Sequence, residues 1–280
     1  MAVMRIGNEE HRRVFCREFT STFRNYDPRS IRWPWLHEET LARLRALPFW
    51  AQAVKTERTA GARVRLMADV ERDPLVREAI AMQAFEETRH AALLEGLIEH
   101  CGITVPEPSA DQPRNAEWGF IRMGSGEVFD SFFAFGLFKI AADTGFFPPE
   151  LIQIFDPFIE EEARHILFFV NWAAWRGRNL SPGARAWFEL RRASAMAIQA
   201  MGRMETAINL SRGAGAGEDF VMDAHDAIDK SITLRRLAET CLVETERRLA
   251  PYDERLLRPA LVPRLVRLAL RSMGNGAGQK

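Results

Sequence analysis

Apolar residues recur along this chain at spacings of three and four, and period-two alternation is almost absent. The pattern predicts an all-α protein. The most informative stretch is 155–172, whose helical seam reads Phe155, Phe158, Glu162, His165, Phe169, Trp172. A carboxylate and an imidazole thus sit in the middle of a core-facing aromatic stripe. Burying either one unpaired costs roughly several kcal/mol. A Glu at i and a His at i+3 can reach one ion from a single helix face, so a metal ion would satisfy both.

The same anomaly recurs along the other predicted helices. The 47–72 helix carries the seam Trp50, Ala53, Val54, Glu57, Gly61, Val64, Ala68, and Asp73-Pro74 ends it and caps the next. The 74–100 helix carries Val76, Ile80, Gln83, Glu87, His90, Leu94, Leu97, and Gly102 stops it. A Pro-containing connection long enough to cross the molecule follows. A third helix is predicted over 125–146, with Ser125 as N-cap and the seam Glu127, Asp130, Ala134, Leu137, Ala141. The fourth spans 149–176, with Pro157 expected to kink or restart it. Two more long helices are expected over 183–212 and 218–250. The first of these has Trp187, Leu190, Met196, Met201, Met204 and Ile208 on its apolar side. A short basic amphipathic helix is expected over 264–272.

The resulting organisation is an extension over 1–46, a four-helix core over 47–176, added helices over 177–272 and a disordered tail over 273–280. The extension would hold a helix over 9–23, with Trp33 and Trp35 as anchors on the body.

Glu86-Glu87-x-Arg89-His90 is repeated as Glu161-Glu162-x-Arg164-His165. A lone Glu-x-x-His is a weak signal. Here two copies share the same extra Glu and Arg, and both lie on apolar seams. Hairpin geometry adds to this, because residues equally distant from a tight turn lie side by side. Reflecting Glu87–His90 about Asp73 lands on Glu57. Reflecting Glu162–His165 about Phe147 lands near Asp130, with Glu127 one turn away on the same face. Glu57, Glu87, His90, Glu162, His165 and either Glu127 or Asp130 therefore converge, enough for two divalent ions. Oxygen ligands with one imidazole per ion suit iron or manganese better than zinc or copper. His225, in an acidic stretch, has no partner at matching spacing, and Glu205 reads as a hydrogen-bonded core acid.

Composition narrows the alternatives. The 280 residues carry no net formal charge, so no general attraction to nucleic acid follows. Cys16, Cys101 and Cys241 stand far apart, which excludes a CxxC metal site and suits a reducing cytoplasm. No apolar signal segment is evident and no window reads as a membrane span. The Phe-rich run over 129–147 comes closest, but Lys139 and Asp143 interrupt it.

On its two Glu-x-x-His copies and reflected acids, the 47–176 region resembles the ferritin-like di-iron-carboxylate superfamily. The acid-Glu-x-Arg-His pattern is similar to that of its oxygen-activating branches, which have Asp where this chain has Glu. The resemblance implies two iron ions, or a manganese–iron pair, with O2 as co-substrate. It implies that Glu86, Arg89, Glu161 and Arg164 orient the ligand histidines across the site. It implies oxidation of a small, partly hydrophobic organic substrate, with electrons from a separate ferredoxin or flavin reductase. Phe129, Phe133 and Phe169 are candidates for the substrate pocket, with plain core packing as the simpler role. A homodimer is expected. Ferroxidase activity, or a bundle used only for binding, is the alternative.

Overall fold

Helix boundaries in this chain follow capping chemistry. The Asn8 side chain accepts from His11 N, Asp73 from Leu75 and Val76, Asn115 from Trp118, and Thr233 from Arg236. Gly102 and Gly145, at φ +63° and +68°, end two long helices in the left-handed region that glycine tolerates. The computed structural model describes residues 3–106, 115–211 and 233–275. The helices are α1 (Glu9–Ser21), α2 (Glu38–Arg45), α3 (Trp50–Val70), α4 (Pro74–His100), α5 (Ala116–Asp143), α6 (Pro149–Arg178), α7 (Pro182–Ser211), α8 (Leu234–Leu249) and α9 (Leu261–Asn275). There is no strand among the described residues. The protein is an all-α helical bundle.

Two antiparallel hairpins make the centre. On α3 and α4 the partners run in opposite directions: Glu57 meets His90, and Gly61 meets Thr88. On α5 and α6, Ser131 meets Glu162, Gly124 meets Phe169 and Phe120 meets Trp172. The hairpins dock through α3 against α5 and α4 against α6. Helix α1 lies across α4 and α6, while α7 and α8 pack on α5. The main core is aromatic, with Phe15, Phe19, Phe120, Phe132, Phe168 and Trp172 almost fully buried. A second cluster around Leu44, Trp50, Leu97 and Phe146 closes one end.

Several boundaries differ from the sequence-based expectation. Helix α5 begins at Ala116, capped by Asn115, and Ser125 is a buried residue inside it. Gly119, Gly124 and Gly126 depress helix propensity there, but Gly124 is a contact position: a Cβ would collide with the Phe169 ring. Helix α6 runs unbroken through Pro157. The ring deprives only the Gln153 carbonyl of its donor, and Gln153 is exposed to water. Pro263 likewise falls in the first turn of α9, where no donor is needed, so that helix starts before residue 264. Among the described side chains, the expected apolar side of α7 is met only at Met196, which packs against the main core. Trp187, Leu190 and Met201 are exposed, while Phe188 and Ala195 are buried. Met204 and Ile208 have side chains outside the described residues, as do Glu205, His225 and most of the 273–280 tail. Of the expected 218–250 helix, only α8 is described.

In the N-terminal region, α1 matches the expected helix within two residues, and α2 was not foreseen. Trp33 stacks on His100 and packs against Gly96, whereas Trp35 is 77 % exposed and anchors nothing. Leu36, buried beside it, takes that place. His11 ties α1 to α6 through Asn171, 2.9 Å from its Nε2.

Gly136 sets how closely α8 approaches α5, since a Cβ there would overlap Cys241 Sγ and press on its backbone. We expect Gly136→Ala to cost roughly 1–3 kcal/mol through overpacking. Thermal unfolding followed by circular dichroism should show a lowered Tm. Gly183→Ala, where an added Cβ meets nothing within 4 Å, should not lower it.

Candidate metal centre

The α3–α4 and α5–α6 hairpins bring six polar side chains to one buried point. Glu87 and His90 project from α4, Glu162 and His165 from α6, Glu57 from α3 and Glu127 from α5. One ligand atom from each of Glu87, His90, Glu162 and His165 lies within 4.8 Å of the others. His90 Nδ1 is 3.2 Å from Glu162 Oε1, 3.5 Å from Glu57 Oε2 and 3.8 Å from Glu87 Oε2. His165 Nδ1 is 3.0 Å from Glu87 Oε1 and 3.7 Å from Glu162 Oε1.

The outer nitrogens are held crosswise. Glu161 of α6 lies 2.8 Å from Nε2 of His90 on α4 and accepts from Arg89 at 2.6 Å. Glu86 of α4 lies 2.9 Å from Nε2 of His165 on α6 and pairs with Arg164. Each motif thus completes the other. A carboxylate only accepts, so both Nε2 atoms carry hydrogen. In a neutral ring that leaves each Nδ1 with a lone pair facing carboxylate oxygens.

This arrangement has too few donors. His90 Nδ1, His165 Nδ1, Glu127 Oε1, Glu162 Oε1 and Gln83 Oε1 are all buried without a hydrogen-bond partner. Acceptors gathered in one dry spot repel unless a cation or protons lie between them. Titration behaviour reflects this. Burial, reinforced by the neighbouring Glu162 and Glu87, pushes Glu57 up to about 8 against the His90 contact. Burial and the charges of Glu87 and Glu162 hold Glu127 well above the usual carboxylate range. Burial alone would lower both histidines. The carboxylates around them outweigh it and hold both well above the ordinary imidazole value. For Glu87 the imidazoles outweigh burial and hold the carboxyl well below its ordinary value. The residues present therefore fit a bound cation, which replaces protons stored on the cluster.

Glu127 and Asp130 go different ways. Glu127 lies at the cluster, 3.5 Å from Gln83 Nε2. Asp130 instead accepts from Arg203 of α7, 3.1 Å from its Nε. Phe129 and Phe169 are buried in the main core with Phe133 at its border, and Phe129 also lies under the Arg203 guanidinium.

Some contributors were not anticipated. Gln83 donates to Glu87 Oε1 at 3.1 Å, and Ser131 Oγ to Glu162 Oε2 at 3.2 Å. Gln83 was visible as a polar residue on the α4 seam one turn before Glu87. The N-terminal segment carried no such signal. Tyr26 lies 3.9 Å from the Arg89 guanidinium, and the Arg24 carbonyl accepts from Arg89 at 2.7 Å. Phe19 packs on Arg164 and stacks on His165.

No protein-family profile, curated protein or solved structure matches this chain. Fold and site define its class in physical terms: an all-α bundle whose interior carries a Glu/His cluster that could hold a metal ion. No described helix is long and apolar enough to cross a membrane.

Two outcomes are expected. With Glu57 pushed up to about 8 by burial, an incoming cation must displace its proton below that pH, and the raised histidines add to the same requirement. Mn(II) affinity should therefore rise with pH through the region around 8. Calorimetry in buffers of different ionisation enthalpy should register proton release. Among variants, Glu127→Ala and His90→Ala should lose metal while remaining helical, and Asp130→Ala should keep it. Glu86→Gln should weaken binding by roughly 10–100-fold, the usual cost of removing an outer partner of a ligand histidine.

Proposed function

We propose that the chain is a ferritin-like dinuclear metal oxidoreductase, with iron as the principal metal, that uses O2 to oxidise a small, partly hydrophobic organic molecule. The observation that carries this reading is the pair of histidines fixed crosswise, each with its inner nitrogen facing carboxylate oxygens and no donor. Glu57, Glu87, His90, Glu127, Glu162 and His165 would hold the metal ions. A bound pair of redox-active ions supplies electron transfer to O2, which the twenty side chains lack.

The protein's own part is orientation, charge and dryness. Glu161 and Glu86 fix the tautomer of His90 and His165 and raise the basicity of their inner nitrogens. Arg89 and Arg164 hold those two carboxylates in place, and with His90 Arg89 keeps Glu161 ionised against the effect of burial. Gln83 and Ser131 orient Glu87 and Glu162 through one hydrogen bond each. The Phe158 ring, 4.1 Å from His90, and Phe19 beside His165 exclude water from the inner nitrogens. Each ring of the pair packs a Phe on one side, so oxygen ligands would bind a cation there with little competing solvent. Electrons would reach the site from a separate reductase, and the chain would work as a homodimer in the cytoplasm.

The decisive experiment combines metal content with oxygen use. Protein from iron-supplemented medium should contain two metal ions per chain by elemental analysis. After anaerobic reduction it should consume O2 without building an iron mineral. Protein that takes up no metal would sink the proposal. Assembly into cages with many irons per chain would assign the site to iron storage instead.

A further inference from the structure

Helix α7 is apolar on two sides. Its inner side, where Phe188 and Ala195 are buried, packs on α5 and α6. On its outer side Trp187, Leu190, Ile198 and Met201 are 61 %, 56 %, 48 % and 64 % exposed. With Ser194 between them they form one continuous row, because steps of three and four residues stay on one helix face. Exposed apolar residues scattered singly are ordinary, whereas a contiguous row marks an interaction surface. No charge stands within the row. The adjoining Arg191 turns towards α5, where it bonds Glu117 at 2.9 Å and lies over the Trp118 ring.

The row is symmetric about its own midpoint, Ser194. Leu190 and Ile198 lie four residues to either side of it, and Trp187 and Met201 seven. An antiparallel copy of α7, with a two-fold axis through Ser194, therefore sets Leu190 against Ile198 of the second copy and Trp187 against Met201 of the second copy. An isologous contact requires this reciprocity, in which residue i meets j and j meets i. Ser194, the smallest side chain of the row, falls where the two helices would cross, which lets them approach closely. The area is adequate as well. With side chains of roughly 150–250 Å², the four exposed portions amount to about 450 Å² per copy. Two copies would bury about 900 Å² through them, and the exposed Ala193 and Ala197 alongside bring the contact to the roughly 1,000 Å² that a specific interface needs. The exposed leucines of α9 offer no such self-matching face. Leu261, Leu265 and Leu268 are interspersed with Arg264, Arg267 and Arg271, and like charges oppose a second copy.

We infer that the outer face of α7 is a homodimer interface, occupied by α7 of a second copy in antiparallel register about Ser194. This gives the homodimer of the proposed reading a defined surface. It does not depend on the metal chemistry, so its failure would leave metal content and O2 use untouched.

The test begins with sedimentation velocity of the full chain from about 1 to 100 μM, a range that brackets a micromolar Kd. A dimer should form as concentration rises. Leu190→Glu, at an exposed side chain, should leave the chain monomeric throughout, with helicity and metal content unchanged. Leu268→Glu on α9 should leave the dimer intact. Disulfide trapping reads the register, and the native Cys16, Cys101 and Cys241 are all buried and give no background. Ser194→Cys should yield a linked dimer on mild oxidation, because helices packed at about 8–10 Å bring facing Cα atoms within disulfide reach. Trp187→Cys should not, since its two copies would stand roughly 21 Å apart along the helix pair. Monomeric behaviour across the range would assign the face to another occupant and overturn the inference. So would a Leu190→Glu protein that dimerises like the unaltered chain, or crosslinking through Trp187→Cys in place of Ser194→Cys.

Discussion

The structure depends on one constraint: two buried imidazoles whose outer nitrogens are committed to carboxylates. Once Glu161 takes Nε2 of His90 and Glu86 takes Nε2 of His165, both Nδ1 atoms must face inward. What they face is more carboxylate. Lone pairs cannot be packed against lone pairs in a dry interior without a positive charge among them. The remaining architecture brings that arrangement together and keeps solvent from dissolving it. The hairpins set the depth at which the acids of α3 and α5 meet the paired motifs of α4 and α6. The aromatic rings of α1, α5 and α6 then surround the cluster with hydrocarbon.

The crosswise bonding also explains how α4 and α6 recognise each other. Neither motif is satisfied within its own helix, because the first acid of each copy serves the histidine of the other. Breaking the contact would strand two carboxylates, two arginines and two histidines in a low-dielectric interior. Buried ionic networks are often poor sources of net stability, but they penalise wrong arrangements severely. Here the network fixes the register between two hairpins that are otherwise joined by generic apolar packing. The N-terminal segment adds a second layer, through Tyr26 and the Arg24 carbonyl on Arg89 and through Phe19 and Thr22 on Arg164. Residues 19–26 are thus structurally coupled to the site without entering it.

Much of this was legible in the sequence, for a physical reason. A charged residue on a helical apolar seam is visible in one dimension, and a tight turn such as Asp73-Pro74 converts sequence distance into spatial pairing. That logic reached Glu57 from His90 and placed the two Glu-x-x-His copies at one point. It stopped where a contact came from a distant element. Glu127 and Asp130 share a helix face, and what separates them is Arg203 of α7, a guanidinium that draws Asp130 away. The role of Tyr26 was invisible because an aromatic residue in a turn has no seam to interrupt. The polarity of α7 was misread because its buried face is narrow. Phe188 and Ala195 carry the contact, while the larger Trp187 and Met201 face solvent.

Charge counting sharpens what a dinuclear centre would mean here. The inner cluster holds four carboxylates, Glu57, Glu87, Glu127 and Glu162, and two imidazoles. Without metal, burial raises Glu57 and Glu127, the surrounding carboxylates raise both histidines, and the imidazoles lower Glu87. A single divalent ion beside four ionised carboxylates leaves an excess negative charge in a buried site. Some protons must then stay, on groups that a second ion would otherwise use. Two divalent ions with four carboxylates and two neutral imidazoles are neutral, and no proton is required. In that arrangement a first ion would lower the cost of a second by displacing protons that repel it. Outside this cluster Glu86 and Glu161 are paired with Arg164 and Arg89. The inner carboxylates can trade protons for metal while the outer ones keep the histidines aimed at the same point throughout.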